Sequence, residues 1–316
     1  MKPFNVFPYD SNIDFMRMRM VSLVVAAAIM FGAIGMMFAK GFNFALDFTG
    51  GVGVELAYQK AVNVDGVRER LEKAGFENAQ VQTFGTGKEL LIRLRAQGDK
   101  NESRIADIAE KVRNAASEPG NPATKRNGAE ISPQVGRELA WQGAMAMGLV
   151  IVGFLIYIAF RFEWKFAVAA IITTLHDVVV VTGWFALTGH EFDLTVLAGI
   201  LSVMGYSIND TIVVFDRVRE NFRSLRAEPS EVLNRSVNQT LSRTVITSFV
   251  ALLTVVALYL YGGNSLQGMA ESQILGIVIG TLSSIFVACP LLMWLGVSKQ
   301  DLLPKARDDA ELARRP

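Results

Sequence analysis

The stretch DLTVLAGILSVMGYSINDTIVVFDRVREN, residues 193–221, decides how this chain is read. Its first half is an apolar run dotted with small residues at Gly199, Ser202 and Gly205. The run then carries a carboxylate, Asp210, and breaks into charge from Asp216 onward. At about 1.5 Å of rise per residue, such a run crosses the roughly 30 Å hydrocarbon core of a bilayer as one helix. An ionisable side chain at that depth is costly and marks a functional site, with a partner expected on a neighbouring helix.

The composition agrees with a membrane setting. Of 316 residues, 51% are hydrophobic and 19% charged, too apolar a balance for an ordinary soluble protein. Residues 43–135 are polar, and most of the chain after them consists of long apolar runs separated by short charged ones. That is the pattern of a polytopic α-helical membrane protein with one soluble insert. The net charge of +1 says little, so the placement of charge carries the information. The single cysteine, Cys289, excludes an intrachain disulfide or a multi-cysteine metal site and reads as a packing residue. The first apolar run, 21–39, exceeds a signal-peptide core and shows no small-x-small cleavage pattern, so it reads as an uncleaved span.

Six spans are predicted, at 20–40, 139–160, 166–188, 193–215, 244–261 and 272–296. Between them lie an N-terminal segment 1–19, an insert 41–138, a loop 216–243 and a tail 297–316. Lysine and arginine cluster in alternate segments: Arg17 and Arg19, Arg161 and Lys165, six arginines within 216–243, and Lys299, Lys305, Arg307, Arg314 and Arg315 in the tail. The short loops 189–192 and 262–271 hold none. Short basic loops face the cytoplasm, so both termini are expected there and the insert outside.

The insert alternates strand and helix signals. Residues 52–58 read as a strand, 64–74 as a helix, 79–84 and 89–95 as strands around a GTG turn at 85–87, 104–116 as a helix and 129–132 as a short strand. The order β-α-β-β-α-β is that of a ferredoxin-like sandwich. In the loop 216–243 the fourth span continues as a helix, turns at AEPS, and restarts with Ser230 as cap and Glu231 in the first turn. This second helix is basic and amphipathic, equally readable as a connector or as a helix along the membrane surface.

Three intramembrane polar sites stand out. Asp210 has Tyr206 and Ser207 on its own helix face, with Asn209 beside it, and Arg243 at the start of the fifth span lies at similar depth. An aspartate paired with an arginine stays charged, and proton uptake weakens the pair and frees the helices; a static salt bridge is the structural alternative. The second site is His176–Asp177, which as neighbours about 100° apart on a helix are not expected to form a tight dyad. It reads equally as a relay or gate and as interhelical hydrogen bonding. The third set, Gly276, Gly280 and Ser284, is a small-xxx-small ladder for close helix packing, as Gly199, Ser202 and Gly205 are. Trp141, Trp164 and Trp184 mark span ends.

No GxxxxGK[ST], GxSxG or HExxH pattern occurs, and one histidine apart from His176 leaves no histidine-ligated metal in the membrane. No enzyme activity, cofactor, metal or nucleic acid is expected, and work must draw on an ion gradient or a partner.

LDFTGG at 46–51, FRFEWKFA at 160–167, LHDV at 175–178 and VMGYSINDTIVVFDRVRENF at 203–222 together resemble the SecF family of protein-export membrane subunits, within the SecD/SecF group related to resistance-nodulation-division transporters. The resemblance covers essentially the whole chain, and its long fourth-span motif is highly specific. It implies pairing with SecD, association with the SecYEG channel and a YajC-like accessory subunit, and use of the proton motive force to draw preproteins across the bacterial inner membrane. It places the family's intramembrane aspartate on Asp210 and its fifth-span arginine, within LSRTVITS, on Arg243. The motif residues Asp47, Gly50, Gly51, Asp216 and Arg217 are carried over in the same way. Competing readings are a half-transporter exporting a small molecule or lipid, an intramembrane acid/base enzyme using Asp177 and Asp210, and a structural scaffold for SecD.

Overall fold

The computed structural model describes residues 11–76, 79–84, 88–95, 102–131 and 133–302, which divide into two compact units. In chain order the elements are α1 (Arg19–Lys40), β1 (Asn43–Phe44), α2 (Leu46–Thr49), β2 (Gly51–Ala57), α3 (Val64–Lys73), β3 (Gln80–Phe84), β4 (Glu89–Arg95), α4 (Glu102–Ala116) and β5 (Thr124–Ile131). Next come α5 (Pro133–Arg161), α6 (Trp164–Thr188), β6 (Glu191–Phe192), α7 (Leu194–Ser224), α8 (Pro229–Tyr261), α9 (Asn264–Ser283), a π turn (Ser284–Ala288) and α10 (Cys289–Trp294).

The smaller unit contains the four-stranded antiparallel sheet in the order β3-β4-β2-β5, the strand order of the expected ferredoxin-like fold. β2 is central, with Val54 opposite Ile92 of β4 and Gly128 of β5. Val52, Val54 and Leu56 bury their side chains with Val67 and Leu71 of α3 and Val112 of α4. Asn63 caps α3 by accepting the Asp65 amide at 3.0 Å. The last strand differs from expectation, running over Thr124–Ile131 rather than 129–132. It is an edge strand held by backbone pairing to β2, so its polar TKRN start gives no alternating signal. The GTG turn at 85–87 lies outside the described residues, as do 1–10 and the basic tail from 303 onward.

The larger unit gathers the membrane helices, α5 from Gly148 onward. Among the described residues, six helical stretches are long and apolar enough to cross a bilayer: Met16–Lys40, Trp141–Ile158, Trp164–Thr188, Leu194–Ser224, Pro229–Tyr261 and Ser265–Trp294. The 31 residues of α7 span about 46 Å at about 1.5 Å each, longer than the roughly 30 Å hydrocarbon layer, so its charged end from Asp216 projects beyond it. At that end Phe162, Phe166 of α6 and Phe215 of α7 form an aromatic core, with the Phe166 and Phe215 ring centres 5.3 Å apart. Gly189 ends α6 with φ of 74°, its amide bonded to the Phe185 carbonyl, a left-handed cap that glycine adopts without strain.

Two expectations about the later spans are corrected, and a third is decided between its two alternatives. The helix restarting after AEPS is a connector rather than a separate surface helix: α8 is continuous from Pro229 into the fifth span, and Val232, Leu233, Val237 and Leu241 are buried in the core. Its cap position is Glu228, not Ser230, because Pro229 occupies the first helical position, where a missing N–H costs nothing. Its polar side holds the N-terminal segment, since Asn238 accepts the Ile13 amide at 2.9 Å and Asn234 accepts the Phe15 amide at 2.8 Å. The helix that carries the sixth span begins at Asn264, ahead of the predicted 272, and it is not one regular helix. Pro290 lacks an N–H and its ring clashes with the carbonyl four residues back, so the chain widens into the π turn before α10.

Small residues set the helix spacing. A Cβ on Gly276 of α9 would collide with the Val203 side chain of α7, and one on Gly199 would meet Ser272 Oγ and, at 2.9 Å, the Met269 carbonyl. A Cβ on Gly280 would lie 3.3 Å from the Ser207 Cβ. Ser202 and Gly205 do not join this contact, contrary to expectation: they are exposed on another face of α7, with nothing within 4 Å of a Cβ at Gly205.

Candidate functional site: a buried polar seam

Hydroxyl groups surround two carboxylates at the meeting of α6, α7, α8 and the π turn. Asp210 is 6% exposed. Its Oδ1 accepts Thr244 Oγ1 of α8 at 2.9 Å, and its Oδ2 accepts Ser284 Oγ of the π turn at 2.6 Å. One helix away, Asp177 is fully buried. Its Oδ2 accepts Ser207 Oγ at 2.5 Å and Ser283 Oγ at 2.7 Å, while Oδ1 lies 2.9 Å from His176 Nδ1. Burying a carboxylate is tolerable only when its oxygens are hydrogen-bonded, and here hydroxyl donors from neighbouring elements do so. The seam extends through Tyr206, whose hydroxyl donates to Ser248 Oγ at 2.8 Å, and Thr281, 2.7 Å from the same oxygen.

Two expectations fail in this geometry. His176 and Asp177 do form a tight pair, although they are sequence neighbours. The short aspartate and the Nδ1 atom close to the histidine Cβ reach around the helix without leaving it. Asp210 and Arg243 form no ion pair among the described residues. Thr244 takes the place beside Asp210, and Arg243, one position and about 100° around α8, is exposed in a cavity of about 830 Å³. Arg161, Asp216, Arg217, Arg219 and Arg223 share that cavity.

Of the other predicted residues, Asn209 is exposed on α7. Asp216 pairs with Arg161 at 2.8 Å and Arg217 with Glu220 at 3.0 Å. In the smaller unit Asp47 pairs with Arg93 at 3.1 Å, and Gly50, with φ of 70°, turns the chain into β2 at Gly51. Sequence reasoning missed Thr244, Ser248, Thr281 and Ser283 as site residues and read Ser284 only as a packing residue. Their signal is hydroxyls inside apolar spans, next to a proline that breaks the last one.

Family models match most of this chain: "Protein export membrane protein SecD/SecF, C-terminal" over residues 111–298 and "SecD/SecF GG Motif" over 35–62. The protein translocase subunit SecF of Pseudomonas aeruginosa is 43% identical over 299 residues, covering 94% of this chain and 96% of that one. The protein translocase subunit SecDF of Brucella abortus is 36% identical over 311 residues, 97% of this chain but 40% of that protein. The crystal structure of SecDF from Thermus thermophilus, described as a translocon-associated membrane protein, superimposes with a TM-score of 0.73 at 38% identity over 93% of this chain. This chain spans 40% of the length of that structure. A buried carboxylate seam between apolar helices, a ferredoxin-like unit after the first of them and these matches agree: the chain belongs to the SecF family of Sec protein-export subunits.

Proposed function

We propose that this membrane protein works with SecD as an accessory subunit of the Sec translocase, using the proton motive force to promote preprotein export across the inner membrane. The fused SecDF relatives support the pairing with SecD, because there both halves share one chain. In this reading both termini and the 216–243 loop are cytoplasmic, the 41–138 insert is periplasmic, and SecYEG with a YajC-like subunit receives the complex.

The observation that carries the proposal is the environment of Asp210. Its two oxygens are held by neutral hydroxyls from two helices, with no fixed cation among the described residues to lock its charge. Proton uptake therefore changes the hydrogen bonds of a site that ties α7 to α8 and to the π turn. Arg243, exposed in the neighbouring cavity, tunes that charge from a distance. Tyr206, Ser207 and the His176–Asp177 pair line the same seam as secondary relay or gating groups.

The test uses inverted membrane vesicles containing this protein and SecD. Completion of preprotein export under an imposed proton gradient is compared between wild type and Asp210→Asn after ATP is removed. Loss of gradient-driven completion with normal assembly supports the proposal. Unchanged export leaves a scaffold for SecD as the reading.

A further inference from the structure

Ser283 and Ser284 are consecutive, yet their hydroxyls reach carboxylates on two different helices. Ser283 Oγ donates to Asp177 of α6 and Ser284 Oγ to Asp210 of α7. The two serines sit where α9 passes into the π turn, and neighbouring helix positions point about 100° apart, so the two hydroxyls face different helices. Each hydroxyl has one proton and a second acceptor within reach. Ser283 Oγ is 3.1 Å from the Gly280 carbonyl, and Ser284 Oγ is 3.0 Å from the Thr281 carbonyl. Ser207 adds a third link, since it sits one turn before Asp210 on α7 and donates to Asp177.

We infer that Asp177 and Asp210 act as one coupled pair, joined by Ser283 and Ser284 as positioning residues. When Asp210 is ionised, the Ser284 proton points at it. When Asp210 takes a proton from the gradient, its carboxyl O–H becomes a donor to a surrounding hydroxyl oxygen, and the Ser284 proton turns to the Thr281 carbonyl. No covalent bond other than O–H changes, and the one proton gained is the one supplied. Ser283, one peptide bond away, and Ser207, one turn from Asp210 on α7, both donate to Asp177, so the change at Asp210 reaches the Asp177 hydrogen bonds. The ionisable groups around the seam are His176 beside Asp177 on α6, Tyr206 on α7, Arg243 next to Thr244 on α8, and the buried Cys289 on α10. On the facing side, α1 contributes Ser22 and apolar residues to the cleft that His176 lines.

This inference rests on Asp210 as the coupling carboxylate and is tested by a readout that does not need export. Carboxyl infrared bands of the purified complex with SecD in liposomes are followed from about pH 4 to about pH 9, across the range in which a buried carboxylate titrates. Spectra of wild type, Asp177→Asn, Ser283→Ala/Ser284→Ala and Ser284→Thr are compared, with the Asp210→Asn difference spectrum identifying the Asp210 band. Coupled groups titrate as a pair, so Asp177→Asn is expected to move the Asp210 midpoint by about one pH unit or more. The double serine variant should shrink that movement when combined with Asp177→Asn, while Ser284→Thr, which keeps the hydroxyl, should retain it. An Asp210 midpoint that is the same with and without Asp177 overturns the inference even if Asp210→Asn abolishes export. Loss of export dependence on Asp210 with the midpoint shift intact sinks the functional reading and leaves the coupling standing. Alanine at the two serines removes little volume, and a thermal melt of each variant confirms that the midpoint is read on folded complex.

Discussion

Thr244 of α8 donates a hydrogen bond to Asp210 of α7 at 2.9 Å, in the place where the spacing of charges predicts an arginine. Arg243 precedes Thr244 and faces the cavity instead. The two positions therefore separate by mutation. Thr244→Val removes a donor to a buried carboxylate and leaves its oxygen unsatisfied, a loss of about 1.5–3 kcal/mol for a bond to a charged group. Gradient-driven export should fall by about tenfold or more, and Thr244→Ser should restore it. Arg243→Lys, which keeps the charge in an open cavity, should lower export less than Thr244→Val does. A larger loss in Arg243→Lys, measured in the same vesicle assay, assigns Arg243 a direct contact that this geometry lacks.

Glycines on the two faces of the α7 bundle differ in what they meet. Gly276→Ala places a methyl group against Val203, and overpacking of this kind costs about 1–3 kcal/mol. Gly205→Ala meets nothing within 4 Å in this chain. In detergent, the thermal midpoint of purified protein should drop for Gly276→Ala and stay unchanged for Gly205→Ala. If Gly205 instead faces SecD, its substitution should weaken co-purification of the two subunits without changing the melt.

Much of this was legible in the sequence because membranes make strong demands. Runs of apolar residues, basic loops and an aspartate inside a span are costly to misplace, so they announce the helices and Asp210 directly. The β-α-β-β-α-β order of the insert was equally visible, since its buried positions recur at two and at three to four residues. The polar edge strand at Thr124 was not, because backbone pairing to β2 holds it irrespective of side-chain pattern. The partner of Asp210 was misread for a different reason. Charge attracts attention, whereas the bonding is done by Thr244 and Ser284, residues that occur in many spans as helix-packing hydroxyls. Ser284 sits on the π turn, and one proline in the sequence does not state how the chain will widen around it.

Beyond the last span, Asp301 ties the segment after α10 to the start of α6. Its carboxylate accepts Lys165 Nζ at 2.8 Å and the Ser298 amide at 2.8 Å. Burial opposes the charged form, but the Lys165 and Ser298 bonds outweigh it and hold the Asp301 carboxyl below the usual carboxylate range. A depressed carboxylate contributes stability that is present above its unfolded value, about pH 4, and is lost as the pH falls through the lower folded value. Wild type should therefore melt above Asp301→Asn at neutral pH, and the difference should close as the pH is taken below about 4. A difference that persists unchanged at about pH 3 or lower, where the carboxyl is taking up its proton, would show that the two proteins differ through packing rather than through this charge.

Pro290 supplies the last test, because it causes the turn that places Ser283 and Ser284. Pro290→Ala restores the missing N–H and removes the ring clash, so α9 and α10 can join in regular α winding. Converting the π turn to α winding shifts the segments before and after it by one residue, about 100° around the helix. Either α9 with its two serines or the buried α10 must then turn out of its present packing. Gradient-driven export is expected to fall to the level of the Ser283→Ala/Ser284→Ala variant, and combining all three substitutions should cause no further loss. The absence of proline from the span should at the same time leave the folded protein as stable as wild type or more so, since an interior proline disfavours a helix by about 3 kcal/mol. A protein that is stabilised and uncoupled together identifies the π turn as strain held for function, whereas export at the wild-type level shows that the serines find their carboxylates without it.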